Sequence, residues 1–174
     1  PITIFESGAI LLYLAEKTGK LLPKSGAERY DALQWMMVQM TGVGPMSGQM
    51  VHFIRFAPKD KDNSYALSRY KTQVATVYKT LEQRLGQHKY IGGSEYGIAD
   101  IATFPWARLM ETFAPGFNAA HPNVARWVAE IAKRPAVVKA IAAADDVRGK
   151  ISTPDKVAPE NIDRVMGRGK FAAA

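Results

Sequence analysis

The sequence predicts a mainly α-helical chain, and three observations carry that prediction. Apolar residues recur at helical spacing in one window after another, most clearly at Leu67, Tyr70, Val74, Val77, Leu81 and Leu85, where the steps are three or four residues. Glycines and prolines fall between these windows, where helices begin and end. Only the opening run, Pro1-Ile2-Thr3-Ile4-Phe5, is β-branched and alternating in the manner of a strand.

That opening strand has no second strand to pair with anywhere in the sequence. Either it pairs with another chain or its partner strands are encoded upstream, and the second reading is preferred. After it, Ser7 is placed as N-cap of a helix through Ala9–Lys17, with Gly19 as its left-handed terminator. Leu21-Leu22-Pro23 closes this segment, and Lys24-Ser25-Gly26 reads as a linker. A second helix runs from about Ala27 to Met40, with Leu33, Met36, Met37 and Met40 on one stripe. Gly42, Gly44 and Pro45 break or kink it, and the pattern resumes through Met50, Val51 and Phe53. A charged loop spans Pro58 to Asn63, and the long periodic helix follows until Gly86. Tyr90-Ile91-Gly92-Gly93 is a turn, and Gly97-Ile98-Ala99-Asp100 opens another helix with its acid at the third position. Pro105 lies inside that helix as an expected kink. Pro122 opens a helix striped by Val124, Trp127, Val128 and Ile131, and Pro135 opens a last short one, Ala136 to about Ala144. From Asp145 to Ala174 the pattern gives way to Gly, Pro and mixed charge, expected as a surface-draped or mobile extension.

Composition narrows the function classes. The 174 residues carry a formal net charge of +7, with 47% hydrophobic and 22% charged residues, an ordinary globular composition. No apolar run approaches the roughly 18 residues of a membrane span, and no leader pattern appears, so the expectation is a cytoplasmic protein without membrane attachment. With no cysteine in the chain, a disulfide scaffold, a thiolate metal site and a cysteine nucleophile are excluded. Thiol chemistry would have to use a thiol brought by a ligand. His52, His88 and His121 lie far apart without helical pairing, so no metal site is expected. Basic residues are interspersed with acids rather than striped, which argues for a solvated surface and against nucleic acid.

Glu6-Ser7 is the best candidate for chemistry. A strand ending in a carboxylate and a hydroxyl, just before a helix, can hold a ligand carboxylate at the helix N-terminus and a ligand ammonium at Glu6. The plainer reading is a cap and a dipole partner, and spacing alone leaves both open. The methionines around Met36, Met37, Met40, Met46 and Met50 read either as adaptable core filling or as a flexible pocket wall.

Several stretches together resemble the glutathione transferases. Phe5-Glu6-Ser7-Gly8-Ala9-Ile10-Leu11-Leu12-Tyr13-Leu14 is similar to the last strand and third helix of that family's thioredoxin-like half. Tyr96-Gly97-Ile98-Ala99-Asp100-Ile101-Ala102 resembles the helix start at the core of its second domain. Leu33-Gln34-Trp35, Gln39, Gly42-Val43-Gly44-Pro45-Met46, Gly48-Gln49 and His52-Phe53 resemble the bacterial Nu-class branch. Tyr65, Arg69-Tyr70 and Arg134-Pro135-Ala136-Val137 agree.

The resemblance covers roughly residues 1 to 144, and it implies a division. Residues 1-23 would be a remnant of a thioredoxin-like domain, 27-144 the all-α C-terminal domain, and 145-174 an extension. It implies glutathione as co-substrate, with Glu6 and Ser7 holding the γ-glutamyl end, Arg69 gripping a carboxylate bidentately, and Gln39 near the same cleft. The branch resembles disulfide-bond reductases that use glutathione thiols, so the second substrate would be a small electrophile or a disulfide and the assembly a homodimer. No catalytic residue is assigned within the chain; the thiol-activating group is expected upstream of Pro1, and the chain alone is expected to be inactive. The family's helix cap is normally Ser or Thr where this chain has Gly97, which caps nearly as well. The alternative is a non-enzymatic docking module of the same fold, although docking needs neither Glu6-Ser7 nor the Gly-Pro-Met segment.

Overall fold

The computed structural model describes residues 2–151 and 156–172. It divides into two compact units, Pro1–Ile131 and Ala132–Ala174. The first unit contains α1 (Ser7–Thr18), α2 (Gly26–Val38), a π-helical turn (Gln39–Val43), α3 (Gly44–Arg55), α4 (Ser64–Gln87), α5 (Ile98–Ala107), the short α6 (Met110–Phe113) and α7 (Phe117–Ala120), and nearly all of α8 (Pro122–Ala132).

The expected opening strand is not formed. Residues 2–5 belong to no ladder, since a strand forms only where a neighbouring segment exchanges hydrogen bonds with it. The part of that expectation resting on Pro1 lies outside the described residues. Among the described residues β pairing is limited to an isolated bridge between Tyr90 and Gly93, with reciprocal hydrogen bonds of 3.0 and 3.1 Å.

The helical expectations fare better, with local corrections. Gly19 ends α1 in the left-handed conformation (φ 66), as its position predicts. The break in the second helix takes the form of the π-helical turn. Pro45 has no N–H to give the Thr41 carbonyl, so the ladder is interrupted there and absorbs an extra residue before α3. Helix α4 passes through Gly86 and ends at Gln87. Pro105 sits inside α5, which continues to Ala107.

Trp127, Tyr78, Met36, Met50, Leu81, Ile91 and Ile98 are the large, fully shielded side chains of the core. Two polar anchors lock it. Arg84 on α4 lies over the Trp35 ring at 5.0 Å, pairs with Asp31 and donates from Nε to the Ile91 carbonyl at 3.0 Å. Glu82, also on α4, accepts from the Asn123 and Val124 backbone N–H groups, both at 3.0 Å, and from Asn123 Nδ2 at 2.6 Å. The free donors of α8 are thus capped by a carboxylate about forty residues away.

In the second unit, α9 runs Pro135–Lys150, well beyond the expected stop near Ala144. Arg148 reaches Asp145 at 3.4 Å and Lys150 reaches Asp146 at 2.7 Å, pairs at helical spacing that support the added turns. The expected loss of pattern is also interrupted by α10 (Pro159–Val165) and a 3₁₀ turn (Gly169–Phe171). Arg168 pairs with Asp163 at 2.7 Å, Lys170 with Glu160 at 2.8 Å, and Arg164 lies over the Phe171 ring at 4.8 Å. Residues 152–155 and 173–174 of the expected extension lie outside the described residues.

Candidate functional site

Glu6 and Ser7 stand where α1 begins, but their roles differ from a simple cap. Ser7 is the first helical residue, and Glu6 occupies the cap position with φ 70 and ψ 122 and no capping hydrogen bond from its side chain. A non-glycine residue in that conformation is strained, and such strain is concentrated where backbone geometry serves a ligand. Both side chains are exposed, leaving the carboxylate, the hydroxyl and the first N–H groups of α1 open together. What fixes the turn is Gly8: a Cβ there would stand 3.0 Å from Met40 Cε and Sδ and 3.2 Å from Met36 Cε. The methionines therefore serve partly as core, with Met36 and Met50 fully shielded, and partly as the seat of this turn.

Gln39, in the π-helical turn next to Met40, is 6% exposed. Its amide turns toward Gly44, and its Oε1 is shielded without a hydrogen-bond partner. Gln39 and the Glu6–Ser7 turn thus share the neighbourhood of Met40 without any hydrogen bond between them. Arg69 is exposed on the first turns of α4 and has no ion pair within the described residues. Beside it, Tyr70 stacks on Phe53 at 5.6 Å, and Phe53 meets His52 edge-on at 5.2 Å. That aromatic cluster fixes the start of α4 against the end of α3, and so fixes the base of Arg69.

Asp100, at the start of α5, is fully buried. Its Oδ1 accepts from the Ile91 N–H at 2.9 Å and from Trp127 Nε1 at 2.8 Å, and its Oδ2 accepts from the Gly97 N–H at 3.0 Å. Burial pushes its carboxyl above the ordinary value, and these donors pull back only part of that rise. The sequence identified Asp100 and Gly97, but not the reason for a glycine. A Cβ at Gly97 would lie 2.8 Å from the Leu21 carbonyl oxygen, which accepts from the Ile98 N–H at 3.0 Å. Leu21 itself has φ 67. Tyr78, buried against Phe117, has its hydroxyl pushed well up by desolvation.

The sequence profile of the glutathione S-transferase C-terminal domain matches residues 43–135, more than half of the chain. The chain belongs to the glutathione S-transferase family. It is 43% identical over 141 residues to the disulfide-bond oxidoreductase YfcG of Escherichia coli K12, a match covering 81% of this chain and 64% of that protein. Against the disulfide-bond oxidoreductase YghU of the same organism it is 37% identical, covering 79% of this chain and 49% of the relative. Among solved structures, a glutathione transferase from Burkholderia graminis, crystallised with two glutathione molecules per subunit, matches at 46% identity and a TM-score of 0.75. That match covers 80% of this chain and 60% of the other. The chain thus spans about half to two thirds of the length of these transferase-family relatives. Among the described residues no helix is long and apolar enough to cross a membrane.

Proposed function

We propose that this chain supplies the γ-glutamyl and helical-domain side of a glutathione site in a protein that uses the glutathione thiol on a disulfide or a small electrophile. The observation that carries the reading is the strained Glu6 at the mouth of α1. Its φ of 70 sets an exposed carboxylate beside the Ser7 hydroxyl and the open helix N-terminus. That arrangement suits a zwitterion, with the ligand ammonium at Glu6 and the ligand carboxylate at Ser7 and the backbone donors. Arg69 adds a guanidinium for a second carboxylate. Gln39 takes the lesser part of shaping the π-helical turn beneath. The oxidoreductase names of the relatives favour disulfides as the second substrate.

In that chemistry the glutathione thiolate attacks one sulfur of the disulfide. A new S–S bond forms as the old one breaks, and the other sulfur leaves as a thiolate. Thiolate formation is assigned to no residue of this chain, and a homodimer is the assembly that goes with the reading. Calorimetric titration with glutathione tests the site. Arg69→Ala is expected to weaken binding by about 1–3 kcal/mol, the scale of a charged hydrogen bond, and Ser7→Ala by about 0.5–1.5 kcal/mol. Equal dissociation constants for the parent and both variants would remove these residues from the site.

A further inference from the structure

The methionines of α2 and α3 differ in how far they are open to solvent and in what their sulfur touches. Met36 and Met50 are shut away in the core, at 0% and 2% exposure. Met37 stands 48% exposed at the surface of α2. Met40, the second residue of the π-helical turn, lies between these extremes and is half-buried. Its Sδ and Cε each come within 3.0 Å of where a Cβ at Gly8 would stand, and the Met36 Cε within 3.2 Å. The thioether end of Met40 is therefore the floor on which Gly8, the second helical residue of α1, rests.

That floor bears on the strained residue two positions before it. Glu6 keeps its positive φ only while its surroundings hold the turn in place. Its carbonyl also accepts the first hydrogen bond of α1, from the Ile10 N–H at 2.9 Å. A thioether suits the seat because it is apolar and adaptable. A sulfoxide does not, since it is polar and its added oxygen needs room beside a sulfur already against Gly8. Either that oxygen displaces Gly8, or the side chain turns it to water and takes Cε off the seat.

We infer that Met40 is a redox modification site whose oxidation by a peroxide releases the first turn of α1. In the step with hydrogen peroxide, a sulfur lone pair of Met40 attacks one peroxide oxygen and the O–O bond breaks. The attacked oxygen stays on sulfur and passes its proton to the other, which leaves as water. The sulfur loses two electrons and the peroxide gains them. The effect on ligand binding rests on the Glu6–Ser7 reading: a released turn holds a γ-glutamyl end less tightly.

The test treats the chain with hydrogen peroxide and follows modification, exchange and binding. Peptide-mapping mass spectrometry is expected to place an added oxygen on Met37 and on Met40, with Met36 and Met50 unmodified while the fold is intact. Amide hydrogen exchange at Ile10 is expected to run about tenfold faster once Met40 is oxidised, the scale of one or two lost methylene contacts, with Leu81 in α4 unchanged. Calorimetric titration with glutathione is expected to show a dissociation constant raised by a similar factor. Met40→Leu keeps an apolar side chain of similar volume without the sulfur. Peroxide is expected to leave the Ile10 exchange and the glutathione affinity of that variant unaltered. A Met40 that stays reduced while Met37 is oxidised overturns the inference. So does oxidised Met40 with unchanged Ile10 exchange, or a Met40→Leu variant that responds like the parent. Faster Ile10 exchange on oxidation of Met40, in a chain that binds no glutathione before treatment, upholds the modification site and discards the Glu6–Ser7 reading.

Discussion

At Asp100 one carboxylate serves three donors, two from the connection between α4 and α5 and one from a core tryptophan. Asp100→Asn keeps the size but turns one acceptor oxygen into a donor facing either Gly97 or Ile91 and Trp127. A loss of about 1–3 kcal/mol in urea unfolding is expected from the unpaired groups. The carboxyl also sets a pH dependence. Its folded pKa lies above the unfolded value of 3.8, so the folded state binds more protons between the two. Its contribution to stability is present below the unfolded value and lost as pH rises through the folded one. Unfolding midpoints followed upward from pH 3.8 are expected to show that decline, and Asp100→Asn to flatten it. Next to it, Gly97→Ser restores the usual capping hydroxyl yet drives a Cβ to 2.8 Å from the Leu21 oxygen. Because that neighbour is backbone, a net loss of about 1–3 kcal/mol is expected in thermal unfolding.

Among the elements, those with periodic apolar stripes and terminal Gly or Pro are legible in the sequence. The stripe Val74, Leu81 and Leu85 is buried on α4 as its spacing predicts, and Pro122 and Pro135 open α8 and α9. The opening strand is not, because β-branched alternation reports a preference, whereas a strand exists only with a neighbour. The end of α9 escapes the pattern because its last turns are held by surface ion pairs rather than an apolar face. Glu6 and Ser7 stand out as neighbours, but the positive φ of Glu6 and the seat of Gly8 on Met40 are properties of packing. Gln39, expected beside the cleft, is buried in the π-helical turn, a break marked in the sequence only by Gly42, Gly44 and Pro45. Glu82 carries no local signal at all, since nothing near it in sequence links it to a helix start some forty residues on. Glu82→Ala is expected to destabilise the chain by about 1–2 kcal/mol through the uncapped α8 terminus. Chemical unfolding checks this, with Gln83→Ala on the exposed face of the same helix as the neutral control.

For the whole molecule, the distribution of apolar surface has a direct consequence. Helix α1 buries its small residues, Gly8 and Ala15, and exposes two of its large ones: Ile10 is 38% and Leu14 47% exposed, with Ile2 at 71% and Phe5 at 79% just before the helix. Exposed apolar side chains, where they gather into a patch, bind hydrophobic dyes and promote association. Leu14→Lys is expected to lower dye fluorescence and sedimentation-detected association while leaving the unfolding midpoint nearly unchanged. An unaltered dye signal would place the sticky surface elsewhere. The Asp100 knot has a different reach, in time. The amides of Ile91 and Gly97 belong to loops, which ordinarily trade their hydrogens with water within moments. Here each is tied to a carboxylate shielded from solvent, so neither can exchange until the turn and the start of α5 part from each other. In deuterium oxide, these two loop positions are expected to keep their protons as long as the middle of α4, and to release them in step.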